Sequence, residues 1–317
     1  HPPTGDREWL LNVHGGQNLG HAYQYPHHGI NFSKPAPRNP KPPELIWPPP
    51  YIPQPDANRY IDDGRDPFAG DYDLNGPEDL DVFGTNLTGT WNFGDSFEFE
   101  SITAYEWHDR YTLENSDGSP FISSHSEYAD TAWQFSQEFN PRGEWIGSDL
   151  GDGGWSLGGF YLQEDLNVSN LFQTQSETDL LQEYEQILRN FSAYIQGDYT
   201  IRPGCAPIGC DFKLDVGLRY NVEYKSFDIR ACAFNQKTCK NSLSLSGHED
   251  ETWDGWGGDF ILSWFYDEQE NNVYLKYSRG WKGGHFNGGA TSIFDVITGV
   301  EPEIVDSYEG GPRSLWF

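Results

Sequence analysis

Five residues between positions 71 and 79 have the types and spacing that hold a hard cation. Asp71, Asp73, Asn75, Gly76 and Asp79 read D-x-D-x-N-G-x-x-D. Oxygen ligands at the first, third and fifth positions, a glycine at the sixth for a sharp turn and a carboxylate at the ninth are how a loop wraps Ca2+. The twelfth position, where that pattern wants a bidentate glutamate, is Val82. The pattern names Ca2+ as a candidate cofactor, with Asp71, Asp73, Asn75 and Asp79 as ligands, and a plain solvated acidic loop as the alternative.

Other polar groups carry weaker signals. His14, His21, His27 and His28 crowd the first thirty residues, a set that could bind a transition metal or simply be solvated. The cysteines fall as two close pairs, Cys205 with Cys210 and Cys232 with Cys239. Each pair brackets a short loop, so local disulfides and an oxidising compartment are expected. A four-cysteine metal site is the alternative, although such sites space their pairs more closely. Glu98 and Glu100 offer two carboxylates, a weak glycosidase signal without a cleft to put them in, which the sequence does not supply. No nucleophile elbow, zinc-protease helix, P-loop or dinucleotide fingerprint occurs, so the balance leans against an enzyme and the question stays open at this point.

A formal net charge of −29, from 49 acidic against 20 basic side chains, repels phosphate backbones and disfavours nucleic acid as a partner. Aromatics reach 16% while hydrophobic residues total only 36%. A soluble core would surround that many rings with aliphatic residues. A transmembrane barrel instead needs aromatic girdles, a polar interior and long polar loops. No apolar run is long enough for a membrane helix, which does not bear on a barrel, because each of its strands needs only about 9–11 alternating residues. The chain opens at His1 and contains no Met, so a processed product or an excised piece is expected.

The elements that must position these groups read as strands. Residues 35–56 are proline-dense and residues 62–81 acidic and turn-rich, two loops that precede the main run of strands. Leu87, Gly89, Trp91 and Phe93 alternate with Asn86, Thr88, Thr90 and Asn92; a turn at Gly94 and Asp95 then leads into Phe97, Phe99 and Tyr105 set against Glu98, Glu100 and Glu106. Similar strands are expected near 131–139, 155–162, 191–201, 212–224, 260–266 and 273–277. Over 212–224, Phe212, Leu214, Val216, Leu218, Tyr220, Val222 and Tyr224 face one way, and Lys213, Asp215, Arg219, Asn221 and Glu223 the other. One helix is expected over 176–191, where Leu180, Leu181, Tyr184, Ile187, Leu188 and Phe191 recur at helical spacing.

The most specific stretch is 271–289. Its strand ends in Tyr277, Ser278, Arg279, Gly280, Trp281, Lys282, Gly283 and Gly284, then Phe286 and Asn287; Pro302, Glu303, Tyr308 and Glu309 follow before Gly310 and Gly311. In order and spacing this resembles the β-barrel portion of TonB-dependent outer-membrane receptors. The resemblance runs from about Glu8 to the end, with Ser101 to Trp107 and Trp155 to Asp165 as further strong stretches.

The resemblance implies an all-β fold, an antiparallel up-and-down arrangement of barrel strands with long loops, forming one partial transmembrane barrel domain over 1–317 with no plug domain visible. It implies a receptor and transport protein, here as a fragment, in the bacterial outer membrane. The expected cargo is a ferric siderophore or a similar small nutrient. Outer-membrane lipid and, for the full-length family member, TonB are the implied partners. Trp281, His285 and Phe286 are the candidate ligand contacts, with packing against neighbouring loops as the alternative. Pro141 and Pro312 stand where the family's strands donate ladder hydrogen bonds, which puts those strand positions in question. The competing function is a secreted or periplasmic soluble β-rich protein with a metal-dependent hydrolase site on the acidic loop.

Overall fold

A computed structural model describes residues 7–22, 72–118, 120, 124–145, 151–174, 179–202, 211–234, 244–266, 271–289 and 298–314. The regular elements among them are ten strands: β1 (Arg7–His21), β2 (Pro77–Asn92), β3 (Phe97–Asn115), β4 (Ser124–Trp145), β5 (Gly151–Thr174), β6 (Asp179–Ile201), β7 (Asp211–Phe234), β8 (Ser244–Phe265), β9 (Asn272–Lys282) and β10 (Glu303–Arg313). They build one sheet in chain order, so each strand pairs with its sequence neighbours and β1 and β10 are its edges. The strands run antiparallel throughout.

The hairpin read from alternation at Gly94 is present. Gly94 takes φ 73°, a left-handed conformation that glycine adopts without a Cβ penalty. Phe93 N–H donates to the Phe97 carbonyl at 2.8 Å to close the turn. β5 and β7 each run 24 residues, roughly 80 Å along the strand. That is far beyond the 9–11 residues a barrel strand needs to cross lipid.

Of the helix expected over 176–191, the described part, 179–191, is strand instead. β6 holds Leu180 through Phe191 in continuous register with both neighbours, from Leu180 opposite Phe172 and Ala233 to Phe191 opposite Tyr161 and Val222. Two full ladders of backbone hydrogen bonds outweigh a weak local periodicity, because helix propensity differs by well under ~1 kcal/mol per residue among these side chains. Both prolines sit inside strands. Pro141 pairs with Phe99 on the β3 side, while on the β5 side the ladder lapses between Phe139 opposite Gly159 and Arg142 opposite Ser156. Pro312 lies on the edge strand β10, where one side has no ladder to satisfy.

The sheet has two unlike faces and little core. Buried hydrophobic residues among those described are few, and Phe227, Ile229, Trp253 and Phe286 form one cluster with Tyr184 and Trp281 against it. Phe212, Val216 and Leu218 are exposed instead of packed in a dry interior, as are Trp256, Phe260, Leu262 and Trp264 on β8. An apolar face of this extent has no place in water.

Candidate ligand passage on the inward face

The register sorts side chains by chemistry. On one face Val216, Phe260, Tyr277 and Tyr308 stand in line across β7 to β10, and Leu157, Ile195 and Leu218 across β5 to β7. Rings gather toward the β2–β3 turn: Trp9 meets Trp91 at 4.9 Å, Trp91 meets Phe99 at 5.4 Å and Phe97 meets Trp155 at 6.1 Å. A second group lies further up the strands, where Tyr105 meets Trp133 at 6.5 Å and Tyr161 meets Phe191 at 4.7 Å. On β5 to β7 the two ring groups flank an aliphatic middle of Leu157, Ile195 and Leu218, as on a lipid-facing barrel wall; on β3 and β4 the same face carries Ser101, Thr103 and Gln137, hydrogen-bonded to one another. On β6 this outward apolar run spans 191–201, and Arg189 precedes it in the chain with the same parity.

The opposite face carries rows of charge, while Asp254, Arg279 and Asp306 share the outward parity on β8 to β10. His14, Gly84, Glu106, Gln134, Glu164, Leu188, Lys225 and Glu251 occupy one register row across β1 to β8. Charges in hydrocarbon cost several kcal/mol, so this face must look into the barrel.

The inward side chains are largely paired. His14 Nε2 lies 3.1 Å from Glu106 Oε2. Asp130, itself buried, accepts from Arg110 Nε at 2.7 Å, and its second oxygen is 2.9 Å from His108 Nε2. Lys225 Nζ is 2.9 Å from Glu223 Oε1. Lower down, Tyr194 donates to Glu138 at 2.6 Å and accepts from the Asn140 amide at 3.0 Å. Arg219 donates to Ser192 Oγ at 2.6 Å, its guanidinium 5.4 Å from the Phe160 ring centre. Toward the short turns the wall opens into a polar recess of about 500 Å3 bordered by Glu98, Asn140, Arg142, Ser156, Gln196 and Asp198. Such a wall offers fixed donors and acceptors to a polar solute and little to an apolar one. Alternation identified which face was polar; the ion pairs across strands depend on register and could not be read from the chain.

The glycine-rich segment after β9 folds onto this inward face. β9 leaves β8 beyond Arg279, which pairs with Gly258. His285 and Val300 then exchange two backbone bonds, at 3.2 and 2.8 Å, tying the outgoing and returning legs together. Phe286 is buried, stacked on Phe227 at 5.5 Å and tilted against Trp253 at 5.6 Å. Trp281 packs at the margin of that cluster, and His285 is half-buried. The three expected ligand contacts therefore sit close together, and Phe286 spends its surface on packing.

The acidic loop is described from Tyr72 onward, so Asp71 lies outside the described residues. Asp73 Oδ1 accepts from the Asn115 amide at 2.5 Å, and Oδ2 lies 2.9 Å from His125 Nε2. Asp79 stands within β2, in register with Tyr111 and Leu19, while Asn75 lies in the lead-in to β2. Among the described residues no three His, Cys, Asp or Glu side chains gather as a metal group. Cys232 is buried near the end of β7, opposite Leu181 and Ser244, and no described cysteine is a free thiol. Cys205, Cys210 and Cys239 lie outside the described residues. So do His27, His28 and the proline-dense stretch 35–56.

The family model described as TonB dependent receptor-like, beta-barrel matches residues 8–317. No curated protein matches the chain. Among solved structures it is similar to the ferric yersiniabactin uptake receptor FyuA from Yersinia pestis, at 15% identity and a TM-score of 0.56, over 77% of this chain and 34% of that one. The chain thus spans about a third of that receptor's length, and the likeness speaks for the fold. Two-faced strands, paired charges on one face and the family match over nearly the whole sequence agree on an outer-membrane wall. The chain belongs to the TonB-dependent receptor family, as part of its β-barrel.

Proposed function

We propose that these ten strands are one arc of a larger closed barrel, and that the barrel takes up a small polar nutrient, of which a ferric siderophore is the first candidate, with energy delivered through TonB. Among the described residues β1 and β10 have no outer partner strand, which supports the first part, because an open edge in hydrocarbon leaves backbone groups without partners. The observation that carries the reading is the set of inward ion pairs, His14 with Glu106, His108 and Arg110 with Asp130, and Lys225 with Glu223, on a wall whose other face is largely apolar. FyuA is an uptake receptor for ferric yersiniabactin, and likeness to it supports the cargo class. Ligand contact falls to Trp281 and His285 at the mouth of the wall, Phe286 serving as their anchor. Calcium held by Asp71, Asp73, Asn75 and Asp79, and the disulfides Cys205 with Cys210 and Cys232 with Cys239, are the further parts of this proposal.

The test is uptake by the native protein in its outer membrane, with radiolabelled iron complexed to a panel of siderophores. Accumulation that stops when TonB is deleted supports the proposal. Binding of no ferric complex by the purified native protein removes the siderophore as cargo, and uptake that persists without TonB removes the energy source.

A further inference from the structure

We propose that residues 283–289 form an inward strap lying against the β6–β8 wall, narrowing the passage there, and that Lys225 is the side chain that holds it down. The placement of the strap stands on packing; its effect on passage rests on the uptake reading above.

A connection at the long-loop end of a barrel usually stands in water beyond the lipid. This one turns inward, since the residues beneath it belong to the charged face. Phe227, Trp253 and Tyr184 share their strands' inward parity with Lys225, Glu223 and Leu188, and Phe286 is packed on the first two. Lys225 Nζ donates to the Gly284 carbonyl at 2.7 Å while it is paired with Glu223 and stands 5.9 Å from the Trp253 ring centre. Lys225 and Glu223 side chains are each only 14% exposed, and a charge-assisted bond at such a site is among the stronger hydrogen bonds a protein makes.

The glycines permit the approach. A Cβ on Gly284 would strike the Trp253 ring and the Val300 carbonyl, and one on Gly288 would come 2.9 Å from the Tyr184 ring. Backbone pressed this close to aromatic rings admits no side chain. Aromatic stacking, a lysine clamp and glycine contacts thus act on one short segment. The glycine and aromatic pattern of the sequence serves to seat the strap on the wall, with His285 and Trp281 half-buried at its edge and Asn287 exposed.

Amide hydrogen exchange of the native protein in its membrane tests the placement without any ligand, so its outcome is independent of whether the protein transports anything. In the unaltered protein 283–289 should be protected. Lys225→Met keeps the aliphatic stem and loses the donor; it should raise exchange across 283–289 by about tenfold or more, the factor expected from one lost charge-assisted bond, with 272–282 unchanged. Lys225→Arg, which can still donate, should restore most of the protection. Phe286→Ala should release the same segment with Lys225 intact, which gives a second route if Lys225→Met does not assemble. Unprotected exchange of 283–289 in the unaltered protein, or wild-type exchange in both Lys225→Met and Phe286→Ala, overturns the proposal.

Discussion

Ile195 and Gln196 are chain neighbours on opposite faces of β6, and they separate a membrane wall from a soluble sheet. Ile195 is 52% exposed, lies near the middle of the outward apolar run 191–201 and is flanked in register by Leu157 and Leu218. Gln196 borders the inward polar recess with Glu98 and Asp198. In a lipid-facing wall, Ile195→Arg puts a guanidinium near the bilayer midplane at a cost of about 2–4 kcal/mol, a factor of roughly 30 to 1,000 in the folded population. Gln196→Arg adds a cation to an acidic aqueous recess and should change stability by no more than about 0.5 kcal/mol, as an ordinary surface substitution does. In a soluble sheet Ile195 would be one more exposed side chain, and both substitutions would be nearly silent. The assay is reversible urea unfolding of the native protein from lipid vesicles, followed by tryptophan fluorescence. Equal effects of the two substitutions, or a larger loss from Gln196→Arg, would refute the assignment of faces.

Three other expectations follow from particular contacts. Gly94→Val forces a branched side chain into a left-handed turn at φ 73° and should cost about 1–2 kcal/mol, seen as a lower urea midpoint with an unchanged slope. Asp73→Ala removes an acceptor of the buried Asn115 amide and a partner of His125; a loss of about 1–3 kcal/mol with faster amide exchange at 115–118 is expected, and neither is expected at the β2–β3 turn. Peptide mapping without reduction should recover Cys205 linked to Cys210 and Cys232 linked to Cys239, and bridges between the two pairs would contradict the local pairing.

Much of this architecture was legible because strand alternation is a local property. Phe212 through Tyr224 could be assigned to two faces residue by residue, and the register agrees. The hairpin at Gly94 was legible for the same reason. Residues 176–191 misled because Leu180, Tyr184 and Leu188 on one face and Leu181, Ile187 and Phe191 on the other also satisfy helical spacing. What decides between the two is a pair of ladders to β5 and β7, which lie elsewhere in the chain. Pro141 and Pro312 argue against strands only where a missing donor would be needed, and a lapse in one ladder or an edge position removes that need. The inward turn of 283–289 was not legible. Its glycines announced close approach, but the surface approached is built from Tyr184, Phe227 and Trp253, on three strands distant in sequence. The ion pairs on the charged face are hidden in the same way, since His14 meets Glu106 only once β1, β2 and β3 are in register.

The central claim is that one face of this sheet meets lipid and the other meets water. A nitroxide scan of single cysteines through 191–201 in lipid vesicles measures it most directly, with oxygen as the lipid-soluble relaxant and a nickel chelate as the aqueous one. Strict alternation is expected, odd positions relaxed by oxygen and even positions by nickel. Uniform nickel access at every position, or the opposite phase, would contradict it.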